Sequence, residues 1–305
     1  MSKILITGAS GFVGKHLTKQ LASDHTLYAI SRNPIYDIFE LTYDWDTYQQ
    51  TICDYDVIIH LAGLAHDTHE NSQEQEYFQV NEQLTNNLVQ WINQAEKPTK
   101  LIYLSSVKVY QEADTIDEKT PKNPNSIYGK SKLAAENVII NQLSNRHSYH
   151  ILEPAMIYGE GNKGNLPKIY NALTRGLPYP FSSWQNQRSI LYIDNLIFII
   201  NQCIEYSLDS DFYVISDDDS ISTIEMLDEL FETNKNAFIR WSLPHFMTSF
   251  IIQIASFSGV GILDKLLGSL VVDNRKIKNA LKITALPIDV RKGLNITGQS
   301  FCNDE

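Results

Sequence analysis

The sequence predicts an α/β fold built on a doubly wound, mainly parallel sheet, and three observations carry that prediction. Short apolar runs alternate with longer stretches of helical periodicity through the first half of the chain, the pattern of successive βαβ units. The first apolar run ends in a glycine-rich turn that opens the first helical stretch. At 305 residues, with 43% hydrophobic and 20% charged side chains, the chain has enough apolar material for one large α/β unit or two lobes, and its composition differs from that of collagen, coiled coils and disordered chains.

Strands are predicted at residues 3–7, 26–30, 39–43, 57–61, 100–105 and 149–153, where apolar and β-branched residues cluster between polar turns. Between them, Phe12, Val13, His16, Leu17 and Leu21 recur on one helical face, as do Val80, Leu84, Leu88, Trp91 and Ile92. A third crossover helix carries Leu133, Ala134, Val138, Ile139 and Leu143 and is entered from a loop with two prolines and two asparagines. Residues 1–155 therefore read as the sheet domain. Beyond them the regularity breaks into Gly- and Pro-rich loops, with helices expected near 166–175, 194–207 and 222–233 and a strand at 212–216. Residues 156–305 read as a smaller, mainly substrate-binding α/β lobe from which the chain can cross back to the sheet.

Charge and cysteine usage narrow the function. Lys plus Arg number 25 against 36 Asp plus Glu, a net charge of −11, and no basic run is available to neutralise a phosphate backbone, so nucleic acid is not expected as a partner. Cys53, Cys203 and Cys302 are scattered and form neither a disulfide framework nor a zinc motif. With no charged and apolar leader pattern at the start, a cytoplasmic protein is expected. Residues 241–263 form 23 positions without a formal charge, but polar and helix-interrupting residues break the run. It reads as an amphipathic segment packing on the lobe or touching a membrane surface at the inner face. His60, His66 and His69 lie close in sequence, yet one falls in a predicted strand and the others in a loop, so no metal site is expected. The run Asp217, Asp218, Asp219 reads as a solvated turn, with Ser222 capping the helix that follows.

The glycine loop carries the first chemistry. Gly8, Ser10, Gly11, Phe12, Val13 and Gly14 follow the first strand and open the first helix, the context in which glycines let the backbone approach a dinucleotide pyrophosphate and the helix N-terminus holds its charge. This makes the sheet Rossmann-type. The end of the second strand selects the dinucleotide, and there the sequence has Ser31 and Arg32 in place of an acidic residue. A hydroxyl and a guanidinium suit a 2′-phosphate, which favours NADP(H) over NAD(H).

The second chemistry is a Ser, Tyr, Lys constellation. Of 16 tyrosines only Tyr128 has a lysine four residues later, Lys132, which places both on one helix face. An ammonium beside a phenol favours phenolate and is expected to lower its pKa toward neutrality for general acid/base work. Ser105 and Ser106 close the fifth predicted strand, at the sheet edge where open α/β folds bind ligands.

These motifs resemble the extended short-chain dehydrogenases/reductases of the NAD-dependent epimerase/dehydratase family. The resemblance rests on TGASGFVG at 7–14, HLAG at 60–63, LSSVKVY at 104–110, YGKSK at 128–132, EPAMIYG at 153–159 and RSILYIDNL at 188–196, in the family's order. It implies Tyr128 as acid/base, Lys132 as the group that lowers its pKa and binds the nicotinamide ribose, and Ser106 on the reacting oxygen. It further implies that Leu61, Ala62, Gly63, Pro154 and Ile157 line the cofactor and that Arg188 holds a substrate phosphate, with Lys163 and Asn165 nearby. Homodimers through helices flanking the sheet are common in that family. The stretches GEGNKGN at 159–165, NQRS at 186–189 and LLGSLVVDNRKI at 266–277 resemble the sugar-nucleotide 4-reductases and 4-epimerase-like enzymes of O-antigen and capsule pathways.

Two departures matter. Glu153 stands where the family often has arginine, and Val107-Lys108 stand where its 4,6-dehydratases carry Asp-Glu. Valine cannot transfer a proton, so dehydration is excluded and redox at one carbinol carbon remains. The expected activity is reduction of a UDP-linked 4-keto-6-deoxy-N-acetylhexosamine. A UDP-glucose or UDP-GlcNAc 4-epimerase with tightly bound NAD is the rival, and a non-catalytic cofactor-binding sensor is a third possibility.

Overall fold

The computed structural model describes residues 1–32, 38–65, 74–162, 164–232, 241–242 and 268–303. Its central sheet has seven parallel strands: β1 (Lys3–Thr7), β2 (Thr26–Ile30), β3 (Leu41–Tyr43), β4 (Val57–His60), β5 (Lys100–Leu104), β7 (Ser148–Pro154) and β10 (Asp211–Ile215). They lie in the order β3-β2-β1-β4-β5-β7-β10, so the strand order reverses beside β1 and opens a crevice at the carboxyl ends of β1 and β4. Alternating residues of each strand feed two cores. Ile4 and Ile6 of β1 pack with Leu17 and Leu21 of α1 (Phe12–Leu21) and with α6 (Ile193–Glu205), whereas Leu5, Ile58 and Leu101 face Leu88, Trp91 and Ile139 on the other side.

The sequence-predicted strands 3–7 and 26–30 are found as expected, and 39–43 shortens to its last three residues. The strand expected at 212–216 is the seventh strand of the main sheet, not part of the smaller lobe, with Phe212 opposite Ile151 and Val214 opposite Glu153. Its backbone donors and acceptors find the open edge of β7, which the apolar alternation alone does not reveal. Lys100, the first residue of β5, ties α6 to the same end of the sheet, its Nζ donating to the carbonyls of Cys203, Ile204 and Tyr206 at 2.6, 2.9 and 2.8 Å.

The second crossover differs from its predicted face. A short α2 (Glu74–Tyr77) runs into a π-helical turn at Phe78–Gln83 and then α3 (Leu84–Ile92). The wider turn rotates the polar Asn81 and Thr85 inward, both buried, while Val80 and Leu84 are only partly covered. The third crossover is α4 (Ile127–Gln142), whose Ser126 caps it by accepting from Gly129 N.

The remaining elements are small. β6 (Thr115–Ile116) pairs with β11 (Val271–Val272), and β8 (Met156–Tyr158) with β9 (Ile190–Tyr192). Helices α5 (Asn165–Thr174), α7 (Thr223–Leu230), α8 (Arg275–Leu281) and α9 (Val290–Asn303) complete this region. Ser222 caps α7 as expected, within a full capping box with Glu225. The acidic turn before it is not solvated throughout. Asp217 is 1% exposed and joins four segments, accepting from Tyr192 N at 3.0 Å, Asn195 Nδ2 at 2.8 Å and Tyr158 Oη at 3.0 Å, while the Tyr158 hydroxyl also reaches Val290 O in α9. Burial pushes its carboxyl up to about 6. Asp218 pairs with Lys278 at 2.7 Å.

Among the described residues no helix is long and apolar enough to cross a membrane. Of the uncharged 241–263 segment, positions 243–263 lie outside the described residues, as do His66, His69 and Lys163. Asp217→Ala leaves buried donors from Tyr192, Asn195 and Tyr158 without an acceptor, and is expected to lower stability by about 3 kcal/mol, read as a shift in the denaturant midpoint.

Candidate active site

The cofactor candidates gather along the carboxyl edge of the sheet. Gly8 has φ 71°, a left-handed conformation, and closes a turn in which Gly11 N donates to Gly8 O at 3.0 Å. A Cβ at Gly8 would lie 2.7 Å from Ala62 N, so the glycine turn and the turn after β4 touch backbone to backbone. Thr7 locks them together, its Oγ1 accepting from Ala62 N at 3.1 Å and bonding His60 Nδ1 at 2.6 Å. Gly11 is the N-cap of α1, where no side chain caps the helix, and Ser10 and Gly11 are exposed while Phe12 and Val13 are partly covered. An uncapped, accessible helix N-terminus beside a glycine turn fits a pyrophosphate. Ser31 and Arg32 follow β2, with Arg32 exposed.

His60 is a buried link whose two ring nitrogens are both bonded to threonine hydroxyls. Its Nε2 bonds Thr85 Oγ1 at 2.9 Å, and burial pulls its pKa down to about 3. Leu61 falls just beyond β4, which ends at His60. The loop 61–64 is held by Asn81, whose amide accepts from Leu64 N at 2.8 Å and donates to Leu64 O at 3.1 Å and to Ser131 Oγ at 2.8 Å. This asparagine, which sequence reasoning missed, pins the loop to α4. Its signal was a polar residue inside an otherwise apolar helical stretch.

Ser106 and Tyr128 are brought together. β5 ends at Leu104, and Ser106 is the N-cap of a 3₁₀ turn at Val107–Val109, its Oγ accepting from Lys108 N. Burial pushes the Tyr128 phenol pKa up and the neighbouring Ser106 hydroxyl pulls it down, to about 12 in all. The approach depends on Gly129, where a Cβ would stand 2.2 Å from the Lys108 carbonyl oxygen. The Tyr77 ring meets the Tyr128 ring edge-on at 6.4 Å.

Lys132 differs from expectation. Its Nζ donates to the Leu104 carbonyl at 2.6 Å and lies 4.2 Å from the centre of the Tyr103 ring, so the ammonium is seated on β5. Burial lowers its own pKa to about 7, opposed by the charge of Glu136 one turn along α4. A Cβ on Gly63 would lie 3.7 Å from this Nζ, which makes the HLAG turn and Lys132 direct neighbours.

Glu153 is neutralised locally. It is fully buried, bonded to Lys122 Nζ at 2.5 Å and to Tyr110 Oη at 2.6 Å. Pro154 follows it at the end of β7. Ile157 on β8 pairs in register with Leu191, and Arg188 lies two residues before β9, its Nη1 donating to Gly268 O at 2.9 Å. Asn165 is the exposed first residue of α5.

Residues 4–215 match the NAD dependent epimerase/dehydratase family. The chain belongs to that family. A UDP-glucose 4-epimerase of Vibrio cholerae is 31% identical over 98% of this chain and 95% of its own length. An N-acetyl-α-D-glucosaminyl-diphospho-ditrans,octacis-undecaprenol 4-epimerase of Escherichia coli O157:H7 is 29% identical over 65% of this chain and 61% of its own. In fold, the chain resembles MoeE5 in complex with UDP-glucuronic acid and NAD, with a TM-score of 0.78 at 21% identity, covering 99% of this chain and 100% of that one. As an epimerase/dehydratase family member the chain is a nicotinamide-dinucleotide enzyme of the extended short-chain type, in a family of nucleotide-sugar epimerases, dehydratases and reductases. Gly129→Ala is expected to part Tyr128 from Ser106 and lower turnover by about a hundredfold, checked by steady-state kinetics with a thermal melt as control for folding.

Proposed function

We propose that this chain transfers a hydride at C4 of a UDP-linked sugar, in the direction of reduction from NADPH to a 4-keto-6-deoxy-N-acetylhexosamine. The neighbouring Ser106 and Tyr128 hydroxyls, with Lys132 one turn along α4, carry this reading, because together they can bind and protonate a carbonyl oxygen. A bound reduced nicotinamide supplies the hydride. Tyr128 donates its proton to the C4 oxygen, Ser106 hydrogen-bonds that oxygen, and the Lys132 ammonium stabilises the tyrosinate that remains. Gly8, Gly11 and the start of α1 hold the pyrophosphate, and Leu61 to Gly63, Pro154 and Ile157 line the nicotinamide side. Val107, buried beside Ser106, offers no proton for elimination of water. Arg188 and Asn165 are assigned to the sugar diphosphate. The exposed Arg32 after β2 favours NADPH through its fork of donors to a 2′-phosphate.

The second reading is a 4-epimerase that oxidises C4 and returns the hydride, favoured by the full-length likeness to the Vibrio cholerae UDP-glucose 4-epimerase. With a UDP-4-keto-6-deoxy-HexNAc, loss of NADPH absorbance in step with product, about a thousandfold slower in Tyr128→Phe and shifted about tenfold toward NADH in Arg32→Ala, establishes the reductase. Tightly bound NAD and interconversion of UDP-sugars without added cofactor would establish the epimerase. Because Lys132 must carry its proton, the reducing rate is expected to fall as pH rises through about 7.

The 241–263 segment is proposed to contact a membrane surface, with packing on the lobe as its alternative. It is uncharged, and its described flanks are tied to the stretch that leads to Arg188: Trp241 N donates to Tyr179 O at 3.0 Å and Arg188 to Gly268 O. The Escherichia coli relative is named for a lipid-linked sugar, which supports the same placement. Cosedimentation with anionic vesicles, lost on deleting the segment, is the expected result.

A further inference from the structure

The structure holds a buried ionic cluster directly behind the Ser106, Tyr128 and Lys132 constellation. Glu136 of α4 and Glu153 of β7 are both fully buried and share a single cation, Lys122, from the loop that leads into α4. Lys122 Nζ is 2.6 Å from Glu136 Oε2 and 2.5 Å from Glu153 Oε1. The other carboxylate oxygens are taken by the Ser105 hydroxyl on Glu136 and by Tyr110 Oη on Glu153. The Lys122 ammonium also lies 3.8 Å from the centre of the Phe212 ring on β10, with Lys276 of α8 at 4.6 Å from the same ring.

We propose that Lys122 is a positioning residue for C4 hydride transfer, clamping the end of β5, the helix α4 and the end of β7 so that Ser106, Tyr128 and Lys132 keep their mutual geometry and charge. This rests on the functional reading above. Ser105 adjoins Ser106, Glu136 lies one turn beyond Lys132 and two beyond Tyr128, and Glu153 precedes Pro154, so each carboxylate contact ends beside a residue assigned to the site. Two fully buried carboxylates share one partly exposed ammonium, and burial together with Glu136 pushes the Glu153 carboxyl well above the usual range. The charged and titratable groups that face the cluster are Tyr103 on β5, Lys132 on α4, Tyr149 on β7, Tyr110 after the 3₁₀ turn, Glu118 in the following loop and Lys276 on α8. Of these, Lys132 is the group whose charge the reaction uses, and the Glu136 charge raises its pKa.

Replacing the cation leaves Glu153 to take up the proton that its burial favours, while the Glu136 charge acts on Lys132 with no Lys122 opposing it, so the Lys132 ammonium is supported more strongly. Lys122→Met is therefore expected to cut kcat about tenfold with KM little changed, and to move the alkaline fall of kcat to higher pH by on the order of one unit. Lys122→Arg is expected to keep the native profile. If Lys122→Met does not fold, the pair Lys122→Gln with Glu153→Gln, which removes one carboxylate as well, decides by the same shift. A folded variant of either kind whose alkaline limb and kcat match the parent overturns the proposal, because a merely structural role would change the melt and leave the limb in place. The same variants are titrated with NADPH against pH by tryptophan quenching, a readout that needs no sugar. An inactive parent enzyme would count against the functional reading, whereas unaltered pH dependence of NADPH binding in the variants would count against the role of Lys122.

Discussion

A parallel sheet covered on both faces leaves only its ends accessible, and this constraint organises the molecule. All seven strands deliver their carboxyl ends to one edge, so every loop that does chemistry starts from the same line. Backbone contact then sets the spacing along that line. The glycine turn meets the turn after β4 through Gly8 and Ala62, and α4 meets the 3₁₀ turn after β5 through Gly129 and Lys108. Neither contact has room for a side chain, which is why the site is tight where reacting groups must sit within hydrogen-bond distance.

Beneath the edge, polar side chains do what apolar packing cannot, fixing direction as well as distance. Thr7, His60 and Thr85 form one chain of bonds under the glycine turn, and Asn81 with Ser131 ties the HLAG turn to α4. Each is buried, so each bond has to be made for the fold to tolerate the group. The π-helical turn at Phe78–Gln83 makes this possible by turning Asn81 and Thr85 inward.

The sheet strands and crossover helices were legible in the sequence because apolar periodicity reports burial directly. Gly8 to Gly14, Tyr128, Lys132 and Ser106 were legible as candidates because their chemistry needs those residue types at those spacings. Other features were not. The strand β10 is visible as an apolar run, but its partner β7 lies more than fifty residues away. Asp217 resembles a solvated acid until Tyr158, Asn195 and Tyr192 close around it. The seat of Lys132 on Leu104 and Tyr103, and the sharing of Lys122 by two glutamates, are properties of tertiary placement that no local pattern encodes.

The return of the chain to the sheet at β10 bears on how the protein is made. Until residue 215 has left the ribosome, β7 presents an unpaired row of amide and carbonyl groups, an open edge of the kind on which nascent chains stick to one another. The sheet domain is thus not complete when its own apparent sequence has been synthesised. Protection of that edge waits for about sixty further residues, and chaperone demand during synthesis falls in that interval.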